Sequence, residues 1–356
     1  MRRILVGVLV LVAAVGGAAY VFRAEIALTV MQRTLDANFA GDPLAAMPDG
    51  LHVALCGAGS PMPDAARSGP CVAIVAGKRL IVIDTGSGAS RTLSRMRLPP
   101  AQVERILLTH FHSDHIDGLG ELMLQRWAGG GAQAAVPVHG PEGVQSVVDG
   151  FNAAYTLDKG YRVAHHGPAV VPPTGFGGAA VPFSVAATGE SVVLDDGGLK
   201  ITAFAVDHAP IEPAVGYKIY YKGRTAVISG DTKVSANVEA AAAGVDLLVH
   251  EALSPKLVGM IGEAAKKAGR TNLVQIMHDI VGYHTSPEEA AGISARAKVK
   301  ALLLYHIVPP LPVGALEGPF LGRAREIFSG PLQVGRDGDI VSLPVGSAEL
   351  TVGNRF

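Results

Sequence analysis

The chain has 356 residues, of which 49% are apolar and 17% are charged, and its 30 lysines and arginines nearly balance its 31 aspartates and glutamates. This composition excludes a disordered chain, which could not bury enough apolar surface to offset its ordering entropy. The near-neutral charge removes the general phosphate attraction of nucleic-acid-binding proteins, although a local basic patch stays open, and two cysteines cannot form a disulfide framework.

The first predicted element is an apolar helix at the N-terminus. Arg2 and Arg3 precede an uncharged run of 19 residues, 4–22, that ends at Arg23. About 20 apolar residues cross a bilayer, whereas the cores of signal peptides usually have 7–15. A retained anchor is therefore favoured over a cleaved signal peptide, although small residues at 17–19 leave cleavage open.

This helix determines the expected location of the protein. The positive charge before the apolar run favours a cytoplasmic N-terminus and an exported body. Residues 1–23 are predicted to be a signal anchor or signal peptide, and residues 24–50 a short helical or irregular spacer. We expect a single-pass membrane anchor with the remaining chain outside the cytoplasm, or a secreted or periplasmic protein if the segment is cleaved.

From residue 51 the chain alternates short apolar runs with glycine-containing turns, which predicts strands. Helical spacing predicts helices at 116–127, 237–243 and 287–298. The mixture indicates a layered α/β domain over residues 51–356. Segments near 150–190 and 254–283 are predicted to be insertions over one face, where substrate lids commonly lie. Predicted strands cover residues 51–56, 71–76, 80–83, 105–108, 192–194, 201–206, 216–221, 225–229, 247–250 and 301–305.

The densest group of metal-binding residue types follows the predicted strand 105–108. Imidazole and carboxylate groups together suit borderline divalent ions such as zinc. One loop cannot wrap four such groups around a single tetrahedral ion without strain, so two neighbouring ions are favoured. The alternative is a histidine-rich polar loop with no ligand role, but such loops are rarely this dense. Residues 109–115 read THFHSDH and contain His110, His112, Asp114 and His115.

This pattern resembles the metal-binding motif of the metallo-β-lactamase superfamily, and four further motifs stand in the order of that family. The resemblance covers about residues 51–345. It implies an αββα sandwich, in which two mixed β-sheets are flanked by helices and the metals lie at one edge between the sheets. The matching motifs are residues 84–86 (DTG), 206–208 (VDH), 229–232 (SGDT) and 302–306 (LLLYH), which ends in His306.

The resemblance also implies a role for each motif residue. His110, His112 and His208 would hold one divalent ion, while Asp114, His115 and His306 would hold the other. Asp231 would bridge the two ions, of which zinc is the favoured identity, and Asp84 would orient a ligand rather than bind metal. Six other histidines are expected to be structural or on the surface: His52, His139, His165, His166, His250 and His278. Of these, His139 lies in residues 138–141 (VHGP), which resemble a structural turn of the family.

Two more motifs resemble the ribonuclease Z and arylsulfatase-like branch, namely residues 249–252 (VHEA) and 283–290 (YHTSPEEA). In that branch the histidine is a proton donor oriented by the glutamate, which implies that His284 is the catalytic acid and Glu251 its partner. A helix start at Ser286 is the alternative explanation of the second motif, but capping leaves the histidine unexplained. Asp231 counts against an ordinary β-lactamase, because those enzymes lack the bridging aspartate.

Together these observations predict an exported dinuclear zinc hydrolase whose substrates are small anionic esters, either phosphodiesters or sulfate esters. The implied mechanism is attack by a metal-bridging hydroxide with protonation of the leaving group by His284. Three alternatives stay open: a ribonuclease Z-type transfer-RNA 3′ endonuclease, a lactone or β-lactam hydrolase, and a non-catalytic membrane-tethered binding module. A transfer-RNA enzyme should be cytosolic and basic, so nucleic acid is disfavoured as a substrate but not excluded.

The two cysteines lie on neighbouring predicted strands. In an exported protein Cys56 and Cys71 could come within disulfide distance. Two buried free thiols are the alternative, since cysteine is often buried without pairing. The sequence leaves this choice open, as it does the oligomeric state.

Overall fold

Two β-sheets form the centre of the chain after Met47. The computed structural model describes residues 2–356, and these fall into two units that part between Ala46 and Met47. The strands are β1 (Gly50–Gly57), β2 (Cys71–Ala76), β3 (Arg79–Ile83), β4 (Val103–Leu107), β5 (Val136–Gly140), β6 (Gly178–Pro182), β7 (Ser191–Asp196), β8 (Leu199–Ala205), β9 (Val215–Tyr221), β10 (Arg224–Ile228), β11 (Leu247–Leu253), β12 (Ala301–Val308), β13 (Leu332–Val334), β14 (Asp339–Pro344) and β15 (Thr351–Asn354).

Thirteen α-helices accompany these strands in the described residues. They are α1 (Arg2–Val21), α2 (Arg23–Phe39), α3 (Ala89–Arg95), α4 (Ser113–Ile116), α5 (Leu119–Leu124), α6 (Val144–Ala154), α7 (Thr156–His166), α8 (Ala236–Ala241), α9 (Pro255–Lys267), α10 (Thr271–Asp279), α11 (Pro287–Ala297), α12 (Glu317–Leu321) and α13 (Ala324–Ile327).

The first unit contains helices α1 and α2. Residues Ile4–Val21 of α1 have a mean hydropathy of 2.5, and none of this stretch is buried. Its length and composition suffice to cross a membrane, although an N-terminal signal sequence passes the same test. The predicted spacer 24–50 is mostly helical, because α2 extends to Phe39. The location outside the cytoplasm stays a prediction.

Both sheets are mixed. One sheet has eight strands in the order β15-β14-β1-β2-β3-β4-β5-β6, and the other has seven in the order β13-β12-β11-β10-β9-β8-β7. Strands β3 to β6 run parallel, as do β10 to β13, while the hairpins β1–β2 and β8–β9 are antiparallel. Strands β1, β2, β11 and β12 are buried along their whole length, which fits their nearly continuous apolar sequences.

The core lies between the two sheets and beneath the outer helices. Leu51, Val53 and Ile74 of the first sheet pack against residues of the second sheet, including Ile219 and Leu303. A second apolar layer joins the outer face of the seven-stranded sheet to α8, α11, α12 and α13, while α3 and α6 contact the eight-stranded sheet. The predicted αββα sandwich is therefore confirmed.

Cys56 and Cys71 form a disulfide that joins β1 to β2. Their Cα atoms are 4.9 Å apart and both side chains are fully buried. The bond is possible because β1 and β2 are adjacent and antiparallel, with a register shift next to Cys56. The alternative of two free thiols is therefore wrong for this structure.

Some local predictions need correction. The helix predicted over 116–127 begins three residues later, at Leu119, because the N–H of Gly118 bonds to the carbonyl of Thr85, and after α5 it continues as a π-helical segment, Gln125–Gly129. Residues 138–140, interpreted as part of a turn, are the last residues of strand β5. The insertion 254–283 forms a helical hairpin of α9 and α10, and the insertion 150–190 contains α7 and strand β6, which pairs with β5.

Candidate metal centre

The polar residues of the site follow the carboxyl ends of strands from both sheets. Because these ends meet at one edge of the sandwich, residues far apart in sequence become neighbours. Asp84 follows β3, Thr109 and His110 follow β4, His208 follows β8, and Asp231 follows β10. Glu251 and His306 lie within β11 and β12, near the carboxyl ends of these strands. All of these side chains are at most 2% exposed.

The first group of candidate ligands consists of His110, His112, His208 and Asp231, each offering one atom within 4.8 Å of the others. His110 Nε2 lies 3.0 Å from His112 Nδ1, and His208 Nε2 lies 3.3 Å from the same atom. Ligands about 2.0–2.2 Å from a tetrahedral zinc ion are separated by similar distances. The geometry of this group therefore suits one such ion.

The second group consists of Asp114, His115 and His306. Asp114 Oδ2 lies 3.2 Å from His306 Nε2 and 3.7 Å from His115 Nε2. Asp231 Oδ2 is 3.3 Å from His115 Nε2 and from His306 Nε2, and 3.9 Å from His110 Nε2. One oxygen of Asp231 therefore contacts histidines of both groups, which is the position a bridging ligand would need.

His306 points into the site because of a β-bulge. Tyr305 pairs with Glu251 and Ile307 pairs with Ala252, which leaves His306 as the extra residue of β12. Its φ of +47° lies in the left-handed region that most side chains avoid. Bulges redirect side chains near active sites, and here the bulge turns the imidazole of His306 towards Asp114 and Asp231.

Several histidines are oriented through their second ring nitrogen. The Nδ1 of His115 lies 2.8 Å from Asp84 Oδ2, the Nδ1 of His208 lies 3.1 Å from the carbonyl oxygen of Tyr283, and the Nδ1 of His110 lies 3.0 Å from Thr109 Oγ1. Such contacts fix the ring and leave the other nitrogen for a metal. Asp84 does not contact the ligand atoms of the two groups directly.

The pKa shifts of three histidines suit a metal site. Burial lowers the pKa of His110 well below its ordinary value, and burial likewise lowers the pKa of His112 and of His208, so these rings are neutral. For His115, burial lowers the pKa, but the charges of three nearby aspartates raise it overall, so a bound metal ion would have to displace a proton from this ring. For Asp231, burial raises the pKa, but the charges of His306 and His115 lower it well below the usual range.

The buried atoms of the site fit a divalent cation. Asp231 Oδ1 is buried and has no hydrogen-bond partner among the described residues. An ionised carboxylate at such a depth is costly unless it is paired or coordinates a metal. The set of imidazoles and carboxylates is the one that zinc prefers in catalytic sites, so the residues fit two such ions.

His284 belongs to a third candidate group, with Asp231 and His306, and its other ring nitrogen is occupied by Glu251. Its Nδ1 is 3.1 Å from Glu251 Oε1, and a ring nitrogen of His284 lies within 4.8 Å of ligand atoms of Asp231 and His306. The same oxygen of Glu251 accepts a hydrogen bond from the Thr285 N–H at 2.8 Å. Because Nδ1 is engaged by Glu251, Nε2 is the nitrogen that can act on a substrate.

Two cavities, each of about 430 Å³, share a segment that contains Pro61, Met62 and Pro63 in their linings. Asp114 lines both cavities. His284, His306 and Asp231 line only one of them, which we call the apolar cavity because its other walls are mostly apolar. The other, which we call the polar cavity, is lined by Ser60, Arg67, Arg95 and Asp117 among others.

Sequence reasoning missed the orienting carbonyl of Tyr283 and the apolar walls. The carbonyl leaves no signal in the sequence, since every residue carries one. The walls do leave a signal, because Leu273, Ile276, Met277 and Ile280 follow the i, i+3, i+4, i+7 spacing of an amphipathic helix. The six histidines expected to have no metal role all lie outside the candidate metal groups of the described residues.

Comparison with known proteins identifies the family and the fold. A family model described as "Beta-lactamase superfamily domain" matches residues 79–307. The ribonuclease Z of Mycobacterium sp. (strain KMS) is 33% identical over 288 residues, covering 81% of this chain and 94% of that protein. The ribonuclease Z of Mycobacterium avium (strain 104) is 34% identical over 289 residues, covering 81% of this chain and 96% of that protein. Human tRNase Z, short form, has the same fold with a TM-score of 0.58 and 19% identity, over 83% of this chain and all of that chain.

Proposed function

This chain belongs to the metallo-β-lactamase superfamily and is a metal-dependent hydrolase, and from this premise we propose that it hydrolyses phosphodiesters with two zinc ions. The observation that carries the proposal is His284, held by Glu251 beside the ligand atoms of Asp231 and His306. Cleaving a phosphodiester expels an alkoxide, which needs a proton in the transition state. A positioned acid next to a dinuclear site supplies it.

The chain's own residues have separate tasks in this reaction. Seven side chains would hold the ions: His110, His112, Asp114, His115, His208, Asp231 and His306. When bound, divalent ions at such a site neutralise charge on the phosphoryl group and make water a usable nucleophile at neutral pH. His284 Nε2 donates the proton to the leaving oxygen, while Glu251 orients the ring and stabilises its charged form.

The electrostatics of His284 support its role as an acid. Burial lowers its pKa, but the charge of Glu251 and the hydrogen bond to it raise the pKa overall, to about 9. The ring therefore carries a proton at neutral pH. Cations bound at the neighbouring site would lower this value, towards the range where proton transfer is efficient.

Within the phosphodiesters, RNA is the first substrate to test because the curated relatives are named ribonuclease Z. A small diester is the second candidate, and one observation favours it. The residues that line the apolar cavity include no lysine or arginine, whereas proteins that bind RNA use such side chains to contact flanking phosphates. Sulfate esters are a third candidate, since their hydrolysis makes similar demands on the site.

We also propose that the catalytic unit acts outside the cytoplasm, anchored through α1. The uncharged stretch Ile4–Val21 and the disulfide Cys56–Cys71 support this location, because disulfides persist in oxidising compartments. A C-terminal alkaline phosphatase fusion should be active and a green fluorescent protein fusion dark after Sec-dependent export. The reverse result would refute the location and favour the transfer-RNA substrate.

The proposed function is tested by substrate hydrolysis and metal analysis of the full chain. The panel contains a transfer-RNA precursor with a 3′ extension, bis(4-nitrophenyl) phosphate, 4-nitrophenyl sulfate, a lactone and a cephalosporin. We expect two zinc ions per chain and turnover of at least one phosphodiester. Turnover of only the lactone or cephalosporin would overturn the reaction type, and a folded protein without metal would favour the non-catalytic binding module.

A further inference from the structure

Six apolar side chains line the apolar cavity together with the metal site, and we call them the apolar wall. The lining contains the candidate metal ligands His112, Asp114, Asp231 and His306, the side chain of His284, and the wall residues Met62, Leu273, Ile276, Met277, Ile280 and Val308. The volume of about 430 Å³ exceeds what a phosphate group alone would fill. The cavity therefore has room for a further substrate group beside this wall.

The wall belongs to a firmly packed element. Met277 of α10, Val258 of α9, and Leu253 and Val308 at the ends of β11 and β12 form one buried cluster, against which Met62, Leu273 and Ile280 pack. The hairpin of α9 and α10 is thus fixed to the strand ends that carry the site. Ile276 of the same helix stays 50% exposed although it lines the cavity, so it has apolar surface left for a ligand to cover.

The position of His284 decides which part of a diester enters this cavity. His284 lines the apolar cavity but not the polar one, while Asp114 and the segment from Pro61 to Pro63 line both. A proton donor must lie next to the leaving oxygen. A leaving alcohol next to His284 would therefore extend into the apolar cavity, and the ester group that stays on phosphorus would face the polar cavity with its arginines and aspartates.

We infer that the protein selects phosphodiesters whose leaving group is an apolar alcohol, either an aryl or an alkyl alcohol, through the wall formed by α10 and Met62. This inference rests on the proposed phosphodiesterase function and names its substrate class. Lysine and arginine are absent from the described cavity lining, which leaves a second phosphate on the leaving group without a partner. Burial of apolar surface of the leaving group against this wall makes the binding free energy more favourable, in proportion to the area buried.

The test uses three methyl phosphodiesters whose leaving alcohols have similar acidity, namely phenol, 2-naphthol and 3-hydroxyphenol. Their need for a proton is alike, so differences in kcat/KM report contact with the cavity. We expect the naphthyl ester to exceed the phenyl ester by about tenfold, from the area of its second ring, and the hydroxyphenyl ester to fall below the phenyl ester. As a measure without turnover, 2-naphthylmethylphosphonate should inhibit about tenfold better than benzylphosphonate.

Two matched variants test whether the preference for the naphthyl ester depends on the apolar wall. Ile276→Gln should reduce the naphthyl-to-phenyl ratio to near one, both in kcat/KM and in phosphonate inhibition. Met260→Gln is the control, because Met260 is an equally apolar, 63% exposed residue of the same hairpin that does not line the cavity. It should keep the ratio of the unaltered protein.

The outcomes separate this inference from the function on which it rests. Equal kcat/KM for the three esters, with zinc bound and diesters cleaved, would overturn the leaving-group assignment and leave the phosphodiesterase function intact. A preference that Ile276→Gln retains as fully as Met260→Gln would overturn the assignment to the α10 wall. Cleavage of no diester by the zinc-loaded protein would overturn both proposals.

Discussion

Asp84 Oδ2 lies 2.8 Å from His115 Nδ1, and the two oxygens of the same carboxylate accept hydrogen bonds from the N–H and the hydroxyl of Thr109 at 2.8 Å each. One aspartate thus holds a candidate ligand of the second metal group and the backbone just before His110 of the first. Asp84 itself has a φ of +57°, which aspartate tolerates better than most residues. The position of one candidate ligand in each metal group therefore depends on this one side chain.

Asp84→Asn should therefore weaken metal binding without unfolding the chain. Asparagine tolerates the same backbone conformation, but it presents only one acceptor oxygen to His115 and Thr109. Loss of such an orienting contact typically lowers metal affinity about 10–100-fold. Competition with a zinc chelator measures the change.

Asp246→Asn is the matched control for Asp84. Asp246 is a buried carboxylate paired with Arg224 and Lys300, next to the opposite end of β11 from the site. Its replacement should lower the free energy of unfolding and leave zinc affinity unchanged. Equal zinc affinities for Asp84→Asn and the unaltered protein would refute the orienting role.

His284→Ala should lose activity in proportion to the basicity of the leaving group. A positioned acid contributes about 10²–10⁴-fold to rate where the leaving group needs a proton, whereas nitrophenolate is stable as an anion. We expect a large loss for alkyl leaving groups, a small loss for nitrophenyl esters, and full zinc content. Glu251→Gln should give the same pattern more weakly.

Asp231→Ala provides the contrast to His284→Ala. Because Asp231 contacts histidines of both groups, this variant should lose metal and all activities together. Inductively coupled plasma analysis alongside the rates distinguishes the two cases. Loss of zinc from His284→Ala would make His284 a ligand, and equal losses across leaving groups would make it a structural residue.

Reduction of the disulfide should lower the free energy of unfolding. The bond spans a sequence separation of 15 residues, and a loop of that size corresponds to about 3 kcal/mol in the chain-entropy estimate. Denaturant unfolding with and without reductant measures it, and a Cys56→Ala/Cys71→Ala double variant should not respond to reductant. Identical midpoints for the unaltered protein in both conditions would contradict the prediction.

His139 should make the fold less stable in acid. Burial, followed by the charge of Arg105, lowers the pKa of His139 to about 4 from the ordinary 6.5. The unfolded chain takes up a proton at this ring below about pH 6.5, but the folded chain does so only near pH 4. Its contribution to stability is therefore complete above pH 6.5 and declines as the pH falls from 6.5 towards 4.

The measurement for His139 is the free energy of unfolding between pH 4 and 7 in the unaltered protein and in His139→Gln. Glutamine keeps an acceptor for Arg105, whose Nη1 lies 3.3 Å from His139 Nε2. The variant should show a shallower decline over this interval, whereas the other acid-sensitive groups contribute equally to both proteins. Parallel curves would show that His139 does not titrate differently on folding.

The αββα fold was predictable from the resemblance of five motifs to the metallo-β-lactamase superfamily, and several of these motifs begin just after a predicted strand. His110 and Asp231 are examples, since each lies just after an apolar run whose end is marked by polar residues or glycine. Local sequence decides such positions. The bulge at His306 was not predictable, because it depends on how β12 pairs with β11.

Tertiary contacts also explain why the secondary structure of the two insertions was not predicted from the sequence. Gly259 and Gly262 lower the helix propensity of α9, and its helical state depends on packing against α10 and the strand ends. Strand β6 is only partly buried and owes its conformation to pairing with β5. Strand β5 is separated from β6 by α6 and α7, and Val308 is remote from α9 in sequence, so a local pattern does not reveal these contacts.

The segment from Pro61 to Pro63 lines both cavities, and it lies within the loop closed by Cys56 and Cys71. Because the same three residues line both cavities, a change in their size or position alters the shape of both. Changes at Met62 that admit a bulkier alcohol would therefore also change the room for the other half of the same molecule. A change of specificity through this segment would therefore alter which leaving group and which remaining ester group the protein accepts at the same time.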